Sequence, residues 1–156
     1  MTRARPGIDR LASAWFIRRF ISPDAKFAFV SANGTSTSLR AGASVDGRVP
    51  FDLPDVQFGH HGPHCTFETL MHRFAISDAG LTALSRVVHD LDLKETRYGM
   101  PECAAVGRLV DGLRASYSDD AELLEHGMVV MEALYRSFAA DGRAARNRGR
   151  KKREPL

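Results

Sequence analysis

The chain has 156 residues, 44% of them hydrophobic, and a formal net charge of +3 at neutral pH. This length suits one domain whose core is large enough to fold without disulfides, and two cysteines are too few for a secreted framework. No apolar run approaches the ~20 residues of a membrane span, and residues 1–10 lack the features of a signal peptide. A cytoplasmic protein without a membrane partner is therefore expected.

The first predicted element is an amphipathic helix. Apolar side chains recur at helical spacing over Ile8–Phe20, and Asp9 is a suitable N-cap. Ser22-Pro23-Asp24 then stops the pattern. The same spacing places Trp15 on the inner face of this helix.

Short strands are predicted next. Lys26–Val30 alternates and is aromatic, while residues 31–47 are rich in Ser, Gly and Thr and predict a loop. Val49–Asp52 and Val56–Phe58 could form two more strands. These segments predict a small sheet near the N-terminal side.

Four further helices follow. Their expected starts are a cap at Thr66, a cap at Ser77-Asp78, the region of Ala104, and a capping box of Asp119 with Glu122. On the second helix, Glu68 and His72 lie at i, i+4, a spacing typical of a surface pair. The predicted fold class is α+β: a mainly helical single domain over residues 1–140 with about five helices.

Residues 141–156 form a basic tail. Seven basic residues there outnumber two acidic ones, so the remaining body has 15 basic and 17 acidic residues. The globule therefore lacks the charge expected of a nucleic-acid-binding protein. The tail is predicted to be disordered, and it could contact nucleic acid or an acidic partner.

Potential metal ligands are concentrated between residues 59 and 92. Five of the six histidines lie there, and Gly59, Gly62 and Pro63 turn the densest part, Gly59–Glu68. Imidazole and carboxylate groups at short spacing suit zinc, iron or manganese. We expect a metal site built from these candidates: His60, His61, His89, Glu68 and Asp52.

Other readings of these residues stay open. The spacing matches no standard zinc motif, and adjacent histidines also occur as ordinary loop residues. Cys65 lies just ahead of a helix, where the dipole would favour a thiolate that binds a ligand or undergoes redox chemistry, although a buried packing role is the alternative. Asp92 is placed to orient the His89 ring.

Three arginines flank the first helix: Arg10, Arg18 and Arg19. Guanidinium groups fit tetrahedral oxyanions as well as carboxylates, so an oxyanion pocket is conceivable. Helix arginines are more often solvated or paired with acids, and this is the alternative.

Several separated motifs carry a family resemblance. Ile8–Phe20, Pro50–Asp52, Gly59–His61 and Cys65–Glu68 resemble the C-terminal domain of the chromate-resistance (ChrB-type) protein family, and the similarity extends from about Ile8 to Phe138. The resemblance implies a role in lowering chromate accumulation or in chromate-responsive regulation, with chromate or another oxyanion as ligand.

We therefore expect a chromate-resistance-associated protein with a His-rich metal site. Whether the chain catalyses a reaction is left open. A metal-dependent redox or hydrolytic enzyme and a structural, metal-stapled interaction domain are the alternatives. An open coordination position would separate chemistry or sensing from a structural role.

Overall fold

Five α-helices dominate the part of the chain described by the computed structural model, residues 1–30, 49–53 and 56–151, with side chains described as far as residue 144. The helices are α1 (Ile8–Phe16), α2 (Thr66–Phe74), α3 (Ala79–Asp92), α4 (Cys103–Ser116) and α5 (Asp120–Lys151). A π-helical turn, Ile17–Ile21, continues α1. The mainly helical α+β fold is confirmed.

The start of α1 differs from the prediction. Gly7 is the N-cap, and the side chain of Asp9 makes no cap for its own helix. Asp9 is instead 2% exposed, because its carboxylate is directed at the backbone of another helix. The apolar pattern of this segment is confirmed, since Trp15 and Phe16 lie in the core.

The sheet is smaller than predicted. Strands β1 (Thr2–Arg3) and β2 (Phe29–Val30) pair in parallel. The predicted strands around residues 49–58 reduce to one bridge between Phe51 and Phe58. Asp52 interrupts that region because its φ of 48° is incompatible with an extended strand. The predicted loop over residues 31–47 lies outside the described residues.

Helix α2 shows two further differences. Its N-cap is Cys65, with Thr66 as the first helical residue. The predicted surface pair of Glu68 and His72 is wrong, because Glu68 is only 7% exposed and its carboxylate turns back to the Cys65 amide. The helix ends at Ala75, whose left-handed φ of 51° stops further helical bonding.

Helices α3 and α5 begin as predicted. Asp78 accepts a hydrogen bond from the Leu81 amide at 2.8 Å, and Asp119 accepts two from the first turn of α5. Within the described residues, no helix combines the length and apolar composition needed to cross a bilayer.

Helix α5 continues into the predicted tail. Its backbone stays helical to Lys151, where alanines and arginines favour helix and no proline intervenes. The described backbone is thus helical over residues 141–151, and the disorder predicted for residues 141–156 stays a prediction. Residues 152–156 lie outside the described residues.

The core forms where α1 packs against α2, α3 and α5. Gly127 on α5 is buried because Leu11 of α1 fills the adjacent space, and a Cβ at Gly127 would lie 2.5 Å from Leu11 Cδ2. Close approach of the two helices therefore depends on this glycine.

Replacing Gly127 by alanine should destabilise the fold by about 1–3 kcal/mol, because the added methyl overpacks the α1–α5 contact. Gly112→Ala on α4 is a matched control, since a Cβ there meets nothing within 4 Å. The control should gain about 0.5–1 kcal/mol from helix propensity. Urea unfolding measures both changes, and equal effects of the two substitutions would contradict the packing.

Candidate functional site

Three parts of the chain contribute four residues to one cluster of charged side chains. Asp9 comes from the first turn of α1, Asp52 and His60 from the connection before α2, and Asp92 from the end of α3. We call these four residues the Asp–His cluster. It lies where the N-terminus of α2 meets α1 and α3.

Asp9 joins α1 to α2 within the cluster. Its Oδ2 accepts a hydrogen bond from the Thr66 amide at 3.0 Å, and its Oδ1 accepts one from the Phe67 amide at 2.8 Å. These amides belong to the first turn of α2, where N–H groups have no intrahelical partner. Asp9 therefore caps α2 from outside the helix, and the dipole of α2 favours its negative charge.

Burial acts on Asp9 in the opposite direction. Removal from water raises the pKa of this carboxyl above its ordinary value, although the hydrogen bond with His60 opposes that effect. We take Asp9 as ionised at neutral pH because both of its oxygens accept backbone N–H bonds, a role that suits a carboxylate.

Asp52 is held by several donors. Arg10 Nε donates to Oδ2, Thr66 Oγ1 donates to Oδ1 at 3.1 Å, and Arg3 Nη2 lies 3.5 Å from Oδ2. Burial raises the pKa of Asp52, but hydrogen bonds from His60 and Arg10 outweigh burial and hold the pKa below its ordinary value. Asp52 is therefore a buried, ionised carboxylate.

His60 is the meeting point of three carboxylates. Its Nε2 lies 3.2 Å from Asp92 Oδ2, 3.3 Å from Asp9 Oδ2 and 3.5 Å from Asp52 Oδ1. Asp52, Asp9 and Asp92, in that order of effect, raise the pKa of His60 from 6.5 to about 12. Without another cation, the imidazole is therefore a protonated, positively charged bridge.

The same atoms form a possible ligand set. One ligand atom each from Asp9, Asp52 and His60 lie within 4.8 Å of one another. Imidazole nitrogen with carboxylate oxygens is a donor combination that first-row divalent ions accept. The ring of His60 is 42% exposed, so the cluster has one side open to solvent.

The other predicted histidine of the turn points elsewhere. His61 Nε2 lies 3.1 Å from the Gln57 carbonyl oxygen, and His61 and His64 exchange backbone hydrogen bonds. Gly62 supplies the left-handed φ of 57° that this tight turn requires. Adjacent positions in the sequence therefore do not bring His61 into the Asp–His cluster.

His89 belongs to a second, separate group. Its fully buried ring donates from Nδ1 to Glu68 Oε2 at 2.8 Å, and Nε2 lies 3.4 Å from Glu95 Oε2. Glu68 Oε2 also accepts the Cys65 amide at 3.0 Å. The structure does not place His89 or Glu68 among the grouped ligand atoms of Asp9, Asp52 and His60.

Asp92 and Cys65 have different surroundings from those expected. Asp92 was expected to orient the His89 ring, but its carboxylate contacts His60 instead. Burial, followed by the negative charge of Asp9, raises the pKa of the Cys65 thiol. That change opposes the expected thiolate, because desolvation outweighs the helix dipole.

The predicted oxyanion arginines are each paired with an acid. Arg10 binds Asp52, Arg18 contacts both carboxylate oxygens of Glu125 at 2.7 Å, and Arg19 lies 3.5 Å from Glu132. Among these arginines, only Arg10 contacts the Asp–His cluster. Asp9 lies within the motif Ile8–Phe20 that carries the family resemblance, but its local pattern predicted only an N-cap; an aspartate on an otherwise apolar helix face is the signal that could have indicated its place in the cluster.

Two comparisons with known proteins point to the same family. A family model described as "ChrB, C-terminal domain" matches residues 1–138. Protein ChrB of Cupriavidus metallidurans is 31% identical over 140 residues, covering 89% of this chain and 40% of the relative. The chain thus spans less than half the length of that relative. No solved structure matches the chain.

The stability of the metal-free protein should fall as pH rises above about 6.5. The folded-state pKa of His60 is raised to about 12, so its contribution is complete below the unfolded value of 6.5 and is lost progressively up to 12. Urea unfolding between pH 6.5 and 9.5 in chelator-treated buffer measures this slope. His60→Gln should flatten it; an unchanged slope would contradict the protonated bridge.

His89→Ala should destabilise the fold by about 3–5 kcal/mol, because it removes the buried imidazole that donates to the Glu68 carboxylate. His72→Ala is the control, since His72 is exposed and its described contact is with the His64 ring. Denaturant unfolding of both variants tests the difference. Wild-type stability of the His89 variant would show that the Glu68–His89 contact is not a structural pair.

Proposed function

This chain belongs to the family of ChrB C-terminal domains, and from that membership we propose that it takes part in chromate resistance, by lowering chromate accumulation or by sensing chromate or a metal ion. The proposal includes a divalent metal ion held by Asp9, Asp52 and His60, with Asp92 beside them. Family membership supports the chromate role, and the Asp–His cluster supports the metal site.

The convergence of three carboxylates on one imidazole nitrogen carries the metal proposal. Two of these acids are nearly buried, with Asp9 2% and Asp52 4% exposed. Buried carboxylates are stable when they are paired or coordinate a metal. If His60 is neutral, as a ligand must be, the three carboxylates are balanced by two guanidinium groups, those of Arg3 and Arg10 on Asp52, which leaves a negative site for a cation.

Solvent access favours binding or chemistry over a purely structural metal. A structural site is normally closed by four protein ligands, whereas a site with an open position can exchange its metal or bind a further ligand. The exposed side of His60 supplies such an opening. A redox or hydrolytic reaction at the same ion is the alternative, and it requires this opening as well.

Metal binding should depend on His60 and not on its neighbour. Tag-free protein, treated with chelator, is titrated with Mn²⁺, Fe²⁺ or Zn²⁺ and analysed by calorimetry and elemental analysis. We expect about one ion per chain, with His60→Ala weakening binding by at least about tenfold because a direct ligand is lost. His61→Ala is the matched control and should bind as the wild type does.

His89 provides a second control for the same titration. Because His89 contacts Glu68 and Glu95, a folded His89→Ala protein should keep its metal stoichiometry. Equal loss in the His60 and His61 variants, or no binding by the wild type, would overturn the proposed site.

The cellular role is tested in a chromate-sensitive host. Cells expressing the wild-type chain or His61→Ala should accumulate less chromium than cells with an empty vector. His60→Ala, expressed to the same level, should lose this effect if the metal site serves resistance. Retained resistance in that variant would separate the family role from the metal site.

A further inference from the structure

Arg86 and Arg97 lie over the same aromatic ring and, unlike the paired arginines Arg10, Arg18 and Arg19, have no acid partner among the described residues. The guanidinium carbon of Arg86 lies 5.6 Å from the centroid of Tyr98, and that of Arg97 lies 5.5 Å from it. Within the described residues, neither guanidinium has a carboxylate oxygen within the 4.0 Å of an ion pair. A cation–π contact fixes an arginine without neutralising its charge.

The neighbouring acids have other partners. Asp90 accepts the Tyr98 and Gly99 amides, Asp92 contacts His60, and Glu95 contacts His89. Each acid between Arg86 and Arg97 therefore has a partner on the protein side. None of these three acids forms an ion pair with Arg86 or Arg97, although the Glu95 side chain is 52% exposed.

Tyr98 is held in place by contacts with Asp90 and His89. Its amide donates to both oxygens of Asp90, at 3.2 and 3.1 Å, and the Gly99 amide donates to Asp90 Oδ2 at 2.8 Å. The ring also meets the edge of His89, with centroids 5.1 Å apart. Because Asp90 and His89 are buried, the backbone and ring that support both arginines are tied to the core of α3.

We propose that Arg86, Arg97 and Tyr98 form a binding site for a small tetrahedral oxyanion. Two guanidinium groups present several N–H donors in planar forks that match such an anion. The Tyr98 side chain is 37% exposed, and its hydroxyl has no hydrogen-bond partner among the described residues, so it adds a donor at the same place. This proposal deepens the proposed function, because the identification of the natural anion as chromate rests on that function.

Sulfate is a suitable probe because it shares the tetrahedral shape and double charge without oxidising the protein. The full chain is titrated with sodium sulfate while sodium chloride keeps the ionic strength constant, since screening alone weakens surface charge effects. NMR follows the Nε–H signals of Arg86 and Arg97 and the amides of Tyr98 and Gly99. Saturable shifts confined to these groups are expected.

Arginine variants separate a defined site from general charge. Arg86→Gln and Arg97→Gln should each weaken sulfate binding by about fivefold or more, and the double variant should abolish it, because each removes a charged donor pair. Arg108→Gln on α4 is the control: Arg108 is exposed and the change in charge is the same. Unchanged affinity in the double variant, or an equal loss in the Arg108 variant, would overturn the site.

Failure of this inference can be distinguished from failure of the metal proposal. The His60→Ala protein should bind sulfate normally, while the Arg86 and Arg97 double variant should keep its metal affinity. Chromate should displace sulfate from the wild type if the site serves the proposed function. Sulfate binding without displacement by chromate would support the oxyanion site and contradict its assigned role.

Discussion

Asp9 is the constraint on which the arrangement of the candidate site depends. Its two oxygens accept the Thr66 and Phe67 amides, so one buried carboxylate fixes the start of α2 against α1. An ordinary N-cap contributes about 1 kcal/mol, but this one also joins two helices through Asp9 and Thr66, which are 57 residues apart in sequence. The position of Thr66, which donates to Asp52, follows from the same cap.

The carboxylate cap also explains why positive charge collects around it. A buried Asp9 beside Asp52 and Asp92 would repel its neighbours, and that repulsion raises the pKa of Asp9 further. His60 bridges all three acids, while Arg10 binds Asp52 and also donates to the Ala4 carbonyl. The N-terminal segment is thereby tied to the cluster, and the Arg10 guanidinium is unavailable as a free anion receptor.

Periodic patterns predicted the helices well because their apolar faces are buried against one core. The same local reasoning was less successful for the site. Asp9 fits the rule for an N-cap, yet the amides that donate to its carboxylate belong to α2, and no local pattern reveals a contact across the fold. Glu68 resembles a surface partner of His72, but the turn of Cys65 into α2 directs it inward to His89. Long-range packing decided both cases.

The histidine-rich turn illustrates the chemical consequence of such packing. Gly62 closes a turn in which His61 and His64 pair through their backbones, so His60 alone reaches the three aspartates. A site that looks rich in imidazole from its sequence is therefore rich in carboxylate oxygen. Oxygen donors favour harder ions, whereas zinc sites are usually dominated by nitrogen and sulfur. Of zinc, iron and manganese, this set of donor atoms would suit manganese or ferrous iron best at the proposed site.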